Sequence, residues 1–151
     1  MDPTHCDNQA TPISCNLQCY ALRLKPGQEL KSHLVEFVQE RSLTSAFVLT
    51  CVGSVTKARL RMANADYIKV FDGPFEIVSL VGTLSGGKSG HLHISLSDKD
   101  GHVIGGHVMG DLFIHSTAEI VIGSCSGVRF TREFDPDTDY DELVVSKTVT
   151  S

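Results

Sequence analysis

One stretch of the sequence carries the apolar spacing of an amphipathic helix, whereas its other apolar residues fall in short runs. The residues that recur at helical intervals are Leu30, Leu34, Phe37 and Val38. Glu29 precedes them, where the helix dipole favours an acidic side chain. The pattern predicts one principal helix over residues 29–41. The rest of the chain must therefore bury its apolar residues in strands.

Short apolar runs separated by turn residues make up most of the chain. Several alternate apolar and polar residues, as strands with one buried face do, and clusters of glycine, aspartate and serine separate them. The predicted strand segments are residues 18–24, 46–52, 54–62, 67–71, 75–84, 92–96, 103–108, 119–122 and 128–134. One helix among many short strands indicates an α+β fold. We predict a compact single domain with a mainly antiparallel sheet of about seven strands.

The 151 residues suit a single domain with polar ends. Residues 1–16 mix proline, threonine, asparagine and aspartate without periodicity, which predicts a disordered N-terminal arm. Residues 133–142 hold six of the 18 acidic residues and no lysine or arginine. We therefore predict a domain over residues 17–135 and an acidic C-terminal tail over residues 136–151.

Charge and cysteine content narrow the possible partners and compartment. The chain has no basic tract of the kind that binds phosphate backbones, so we expect no direct binding to nucleic acid. No apolar run is long enough to span a bilayer, and the N-terminus has no apolar signal core. Five cysteines, without a Cys-x-x-Cys pair, indicate reduced thiols. These features predict an intracellular, cytoplasmic protein without membrane association, with the nucleus as an alternative compartment.

Three histidines form the strongest candidate for a chemical site. His91 and His93 are two residues apart in a predicted strand, so their side chains point to the same face. A predicted hairpin turn at residues 98–101 would place His107 beside them on the next strand. Three histidines with an open fourth position form a known zinc arrangement. A His-x-His pair is also common on protein surfaces that bind no metal.

Two further patterns suggest anion or nucleotide binding. Residues 82–89, Gly-Thr-Leu-Ser-Gly-Gly-Lys-Ser, match the P-loop pattern, yet a predicted strand follows instead of the helix that would hold phosphate. The glycines are better explained as a hairpin loop. Lys57, Arg59 and Arg61 share one face of a predicted strand, which is typical of either a solvated face or an anion site.

Nucleophilic catalysis has little support in the sequence, which lacks a Gly-x-Ser-x-Gly motif. Glu76 and Glu119 lie within apolar strands, where an ionised carboxylate is costly unless it is paired. Each is a candidate general base or a hydrogen-bond partner of a metal ligand. Such a residue is more often a structural ion-pair partner.

Several motifs occur together in one order along the chain. They are Leu-Arg-Leu-Lys-Pro-Gly (residues 22–27), Phe-Val-Leu-Thr-Cys-Val-Gly-Ser-Val (47–55), Gly-Pro-Phe-Glu-Ile-Val-Ser-Leu-Val-Gly (73–82), Gly-His-Leu-His-Ile-Ser-Leu-Ser-Asp (90–98), Gly-Gly-His-Val (105–108) and Glu-Ile-Val-Ile-Gly (119–123). In this combination they resemble the PPC domain (plants and prokaryotes conserved). The resemblance covers residues 18–134.

The resemblance implies a domain that assembles as a homotrimer. In prokaryotic members the two histidine motifs are associated with a bound metal. Carried over, the ligands are His91, His93 and His107, and we expect one zinc, or another divalent transition metal, per chain. His102 and His115 match no ligand of the family, and whether either joins the site stays open. In plant members an AT-hook supplies DNA binding, but this chain has no Arg-Gly-Arg-Pro, so it resembles the stand-alone prokaryotic form.

We therefore expect a metal-binding, trimeric PPC-domain protein that acts as an interaction or regulatory module toward an unknown protein or small molecule. Two alternatives stay open. One is a metal-dependent, hydrolase-like enzyme acting on a small molecule, with Glu76 or Glu119 as the candidate base. The other is a chromatin-associated partner that does not itself bind DNA.

Overall fold

The structure, a computed structural model, describes residues 12–64 and 67–149. Its elements in chain order are β1 (Asn16–Leu24), α1 (Leu30–Glu40), β2 (Ala46–Arg61), β3 (Ile68–Thr83), β4 (His91–Ser97), β5 (Val103–Gly110), β6 (Ile114–Ser126), β7 (Val128–Asp135) and β8 (Tyr140–Lys147). Of the predicted disordered arm over residues 1–16, residues 1–11 lie outside the described residues. Residues 12–15 have no regular secondary structure, and Asn16 begins β1.

Six strands form one antiparallel sheet in the order β1-β6-β2-β3-β4-β5. The C-terminal end of β2, from Arg59 to Arg61, also pairs with β5. This pairing closes β2, β3, β4 and β5 into a ring. β7 and β8 form a separate two-stranded sheet. The structure thus confirms a mainly antiparallel fold with one helix in its described part, and that helix is small, at 11 residues.

The hydrophobic core combines inward-facing residues of the six-stranded sheet with the buried face of α1. The alternation is clearest in β4, where Leu92, Ile94 and Leu96 are buried and His91 and His93 are exposed. Burial of each large aliphatic side chain contributes about 1.5–3 kcal/mol. The packing of the three aliphatic residues therefore determines that both histidines face outward.

The helix forms where the sequence predicts it, with bounds one residue shorter at each end. Glu29 caps its N-terminus. The Glu29 Oε2 atom accepts a hydrogen bond from the Ser32 N–H at 2.6 Å, and its Oε1 atom accepts one from the Leu112 N–H at 3.1 Å. One carboxylate thus caps the helix and ties it to the chain preceding β6. Within the described residues, no helix has the length and apolar character needed to cross a membrane.

Strands β2 and β3 are each continuous where the sequence predicts two strands. Gly53, which was expected to end a strand, lies within β2 at a backbone φ of 156°. A Cβ atom there would lie 2.0 Å from the Thr117 carbonyl oxygen, so glycine allows β6 to approach closely. The register shifts beside Gly53 and again between Val55 and Lys57. These irregularities interrupt the register without ending the strands.

The acidic segment differs from the tail predicted over residues 136–151, because Tyr140–Lys147 form β8 and pair with β7. Its acids make the connecting turn: the Asp135 Oδ1 atom accepts a hydrogen bond from the Asp137 N–H at 2.8 Å, and the Asp135 carbonyl oxygen accepts one from the Asp139 N–H at 2.9 Å. The Phe130 N–H donates to the Thr44 carbonyl oxygen at 2.8 Å, which ties the hairpin to the chain before β2.

Candidate metal centre

Three histidines meet on the outer face of β4 and β5. His93 and His107 are direct partners in the antiparallel register, and His91 lies two residues from His93 on the same face. The ring centroids are 5.1 Å apart for His91 and His93, 5.3 Å for His91 and His107, and 5.6 Å for His93 and His107. One ring nitrogen of each lies within 4.8 Å of the other two. The structure therefore brings together all three predicted ligands.

The local environment of His107 tests whether these residues fit a metal ion. Its Nδ1 atom is buried and has no hydrogen-bond partner among the described residues. Buried polar atoms in proteins nearly always have a partner, because an unpaired one loses its hydration without compensation. A buried nitrogen atom without a hydrogen-bond partner, next to two other imidazoles, fits the role of a metal ligand. The donor set fits a divalent transition metal such as zinc.

The electrostatic environment keeps two of these imidazoles neutral at neutral pH. Burial lowers the pKa of His107 to about 4, and the positive charge of Arg61, its direct partner on β2, adds to the effect. Burial, followed by the neighbouring His93 and Arg132, also lowers the pKa of His91, while Glu142 acts in the opposite direction. A metal binds the neutral imidazole, so these shifts favour the ligating form.

A cavity of about 430 Å³ opens beside the cluster, and we call it the histidine cavity. His91 and His107 form part of its wall. Its other lining residues are Arg61, residues 86–90, Arg132, Tyr140, Asp141 and Glu142. The wall thus combines the end of β2, the glycine-rich loop between β3 and β4, and the β7–β8 hairpin. His93 lines a smaller adjoining cavity that shares His91, Arg132 and Glu142.

The two candidate bases lie elsewhere on the chain. Glu76 of β3 pairs with Ser97, at the opposite end of β4 from His91. Glu119 of β6 pairs with Val52 and Arg23. Both side chains are exposed, so neither carries the burial penalty that the apolar strands suggested, and neither lines the histidine cavity. Within one chain, the structure does not bring them to the three histidines.

The other two candidate histidines also lie apart from the cluster. His102 lies just after the β4–β5 turn, with its Nδ1 atom 3.5 Å from the Asp98 Oδ2 atom. His115 of β6 lines a different cavity together with Glu76. The acidic group Asp98, Asp100 and His102 also has ligand atoms within 4.8 Å of one another. Asp98 there already accepts hydrogen bonds from the backbone N–H groups of Asp100 and His102 at 2.9 Å, as a turn residue does.

Sequence reasoning missed the residues that the β7–β8 hairpin brings to the histidines. Arg132 donates hydrogen bonds from Nη2 to the Thr83 Oγ1 atom at 3.0 Å and from Nε to the Gly86 carbonyl oxygen at 3.2 Å. Glu142 reaches the histidine cavity from β8, a segment that the sequence predicted to be a tail. Both contacts join residues far apart in sequence, and no local pattern marks them.

A match to a known protein family shows which family this chain belongs to. Residues 14–126, which contain all three histidines, match the Plants and Prokaryotes Conserved (PCC) domain. The chain belongs to this family. The match confirms the resemblance that the sequence motifs indicated. β1 to β6 and α1 lie within or at the edges of the PCC domain, whereas the β7–β8 hairpin lies beyond the matched residues.

Two curated relatives show the PCC domain as part of longer proteins. The bifunctional protein GlmU of Synechococcus sp. (strain JA-3-3Ab) is 39% identical over 132 residues, which cover 87% of this chain and 21% of that protein. AT-hook motif nuclear-localized protein 8 of Arabidopsis thaliana is 28% identical over 113 residues, which cover 70% of this chain and 29% of that protein. This chain therefore spans less than a third of the length of either relative.

Two solved structures share the whole fold. A hypothetical protein from Salmonella cholerae-suis is 39% identical, with a TM-score of 0.86, and the match covers 91% of this chain and 99% of that one. A metal-containing protein from Archaeoglobus fulgidus is 27% identical, with a TM-score of 0.75, and the match covers 89% of this chain and 99% of that one.

Proposed function

We propose that this protein is a homotrimeric PCC-domain protein that binds one zinc ion, or another divalent transition metal ion, per chain through His91, His93 and His107, and that uses this centre to bind a partner. The observation that carries the proposal is the convergence of three imidazoles, one with a buried and unpartnered nitrogen, on one side of a cavity. The description of the similar Archaeoglobus fulgidus protein as metal-containing supports the same reading.

The strands hold the three histidines in the fixed arrangement that a metal centre needs. The pairing of His93 with His107 fixes two ligands on adjacent strands, and the buried side chains of Leu92 and Ile94 hold β4 in register. Burial and neighbouring positive charges keep His107 and His91 in the neutral form. The ligands are therefore preorganised before a metal arrives, which reduces the entropic cost of binding.

The open cavity favours a small-molecule ligand over a purely structural role for the metal. A structural zinc site is closed by four protein ligands, whereas three histidines leave a position open. His91 and His107 line a cavity of about 430 Å³, within the usual size range for small-molecule sites, so a metal ion held by the three histidines would lie beside this cavity. The leading function is therefore that of a metal-dependent binding module for a small molecule.

The same cavity supports one second candidate function, metal-dependent hydrolysis. Zinc held by three histidines supplies a nucleophile at neutral pH by lowering the pKa of water. Asp141 and Glu142 are the carboxylates that line the cavity, and Glu142 also lines the adjoining cavity with His91 and His93, so it is better placed than Glu76 or Glu119 to accept a proton. Turnover of a bound small molecule that stops in a Glu142→Gln variant with unchanged zinc content would favour the enzyme.

The exposed apolar surface supports the proposed assembly of three copies. Val52, Val78, Val81 and Val103, on β2, β3 and β5, each expose more than half of their surface. Val81 lies directly beside His93 in the register, so this apolar surface adjoins the metal centre. Exposed apolar side chains are favoured in an interface, and contacts with a second and third copy of this chain would cover these valines.

Metal content and mass in solution test the proposal together. We would purify the chain without a polyhistidine tag, load it with zinc, dialyse it, and measure zinc by elemental mass spectrometry and mass by light scattering. One zinc per chain in a trimer is the expected result. A chain that retains no zinc refutes the metal centre, and a monomer at micromolar concentration refutes the trimer. A Val81→Asp variant should shift the mass toward the monomer, whereas a Thr56→Asp variant, at an exposed position of the neighbouring strand β2, should not.

A further inference from the structure

Three basic side chains surround the histidine cavity. Arg61 enters from the end of β2, Lys88 from the loop between β3 and β4, and Arg132 from β7. They come from three separate parts of the chain and meet at one cavity. The sequence patterns left two of them unexplained, Arg61 in the basic stripe of β2 and Lys88 in the segment that matches a P-loop. In the folded chain, Arg61 and Lys88 both line the histidine cavity.

None of these three side chains is neutralised by a carboxylate in the part of the chain that the structure describes. The ion pairs within 4.0 Å there are Arg59 with Asp111, at 3.3 Å, and His102 with Asp98. Arg59, the neighbour of Arg61 on the same strand face, is thus engaged, whereas Arg61 is left to the cavity. Asp141 and Glu142 line the same cavity but form no ion pair within 4.0 Å with these cations, so three positive and two negative side chains leave a wall of net positive charge that favours an anion.

The loop at residues 86–90 forms the rim of the cavity and is shaped for close approach. Gly86 and Gly87 have φ values of 78° and 116°, in the left-handed region that favours glycine. Without side chains at these positions the rim stays open. Among the hydrogen bonds between described residues, none uses the backbone N–H of residues 86–89 as a donor. The loop therefore holds, at the rim of the cavity, backbone N–H groups that donate to no other described residue, together with the Ser89 hydroxyl.

Two hydrogen bonds fix the orientation of the Arg132 guanidinium group. Its Nε and one Nη2 hydrogen atom are used by the Gly86 carbonyl oxygen and the Thr83 hydroxyl. The guanidinium group has five N–H donors, so the others stay free while the plane of the group is fixed. A guanidinium group fixed in this way matches two oxygen atoms of one phosphate better than a single ammonium group does.

We propose that the histidine cavity binds a small organic phosphate monoester, with the phosphate group between Arg61, Arg132 and Lys88 and next to the metal position. The inference rests on the proposed function, because the metal ion would complete the basic wall. A phosphate group carries up to two negative charges and three acceptor oxygens, which suits three cations and a metal better than a single carboxylate does.

The other residues of the wall and the volume of the cavity indicate the chemical character of the ligand beyond its phosphate group. Asp141, Glu142 and Tyr140 line the side formed by the β7–β8 hairpin, and their oxygen atoms can accept hydrogen bonds from hydroxyl or amino groups. The volume of about 430 Å³ exceeds what a phosphate group alone occupies. A polar, hydroxylated phosphate ester is therefore a better match than free phosphate. A P-loop mode is not involved, since β4 follows the loop where a helix would be required.

The test is calorimetric titration of the zinc-loaded protein at low salt with four probes: glycerol 3-phosphate, inorganic phosphate, glycerate and glycerol. We expect glycerol 3-phosphate to bind most tightly, inorganic phosphate and glycerate more weakly, and glycerol not at all. Arg61→Gln and Arg132→Gln should each weaken glycerol 3-phosphate binding about tenfold while zinc content is unchanged. Arg23→Gln is the matched control, because Arg23 donates to Thr117 on the β1 side of the sheet, and it should bind within twofold of the wild type.

The outcomes separate this inference from the proposed function. Full zinc content without ester binding, or binding that neither cavity arginine affects, would overturn the phosphate site and leave the metal centre intact. Equal binding of phosphate and its ester would overturn the assignment to an ester, and equal binding of glycerate would overturn the choice of phosphate. Loss of zinc from the wild type refutes the proposed function. Arginine-dependent binding of glycerol 3-phosphate to the metal-free protein would then still support the anion site.

Discussion

His93 on β4 and His107 on β5 are direct partners across the sheet, with ring centroids 5.6 Å apart. Side chains at such paired positions lie on the same face, so the backbone register alone holds two potential ligands together. His91 joins them because residues two apart on a strand share a face. The proposed metal centre is thus a consequence of strand pairing.

Replacing His93 by alanine should remove the metal and leave the domain folded. His93 is exposed, so its loss creates no cavity in the core. We expect zinc affinity to fall at least about 100-fold, since losing a ligand costs more than losing its outer hydrogen-bond partner. Competition with a chelating dye measures the affinity, and circular dichroism checks the fold. His102→Ala is the matched control and should retain wild-type affinity; equal losses in both variants would reject the ligand assignment.

The stability of the metal-free protein should fall as pH decreases from about 6.5 toward 4. The pKa of His107 is about 4 in the folded chain, against 6.5 for an unperturbed histidine. Between these values the unfolded chain binds more protons, so this contribution to stability is fully present above pH 6.5 and is lost as pH falls. Urea unfolding at pH 7 and pH 5 should show a smaller difference for His107→Gln than for the wild type. An identical difference would contradict the pKa shift.

Leu92, between the two histidines of β4, should matter for folding rather than for ligation. Its side chain is 1% exposed and belongs to the core. Leu92→Ala should lower the free energy of unfolding of the metal-free protein by about 2–5 kcal/mol, because it leaves a cavity. Val149→Ala, at a position that is 94% exposed, is the control and should change it by less than about 0.5 kcal/mol. Similar values for the two variants would mean that β4 does not pack as described.

Gly53 should tolerate no side chain. A Cβ atom at this position would lie 2.0 Å from the Thr117 carbonyl oxygen and 2.7 Å from the Ala118 Cα atom, both in the backbone of β6. Gly53→Ala should therefore cost at least about 3 kcal/mol, since the strands must separate. Gly101→Ala, also at positive φ but with no atom within 4 Å of the added Cβ, should cost about 1 kcal/mol. Thermal unfolding of both variants separates the cost of the clash with β6, which only Gly53→Ala introduces, from the cost of backbone strain, which Gly101→Ala introduces alone.

Local patterns in the sequence predicted much of this structure. The helical spacing of apolar residues predicted α1 to within one residue at each end. Alternation predicted that His91 and His93 share one face of a strand, and the structure shows that this face is the exposed one, with Leu92 buried between them. The hairpin between β4 and β5 is also local, so the pairing of His93 with His107 could be expected from the spacing alone.

Features that depend on distant contacts could not be predicted in the same way. Gly53 looked like the end of a strand because glycine is common in turns, but its role depends on how closely β6 approaches. The acidic segment looked like a tail because its charges mask the strand pattern that pairs with β7. Arg132 and Glu142 reach the histidines only through that hairpin, so the basic wall and the cavity appear only in three dimensions.

The most direct test of the central claim is a crystal structure of zinc-loaded protein with anomalous diffraction recorded at the zinc absorption edge. The account predicts one strong anomalous peak per chain, within bonding distance, about 2.0–2.1 Å, of one nitrogen atom from each of His91, His93 and His107. A peak at the alternative group of Asp98, Asp100 and His102, or no peak on the chain at all, would contradict it.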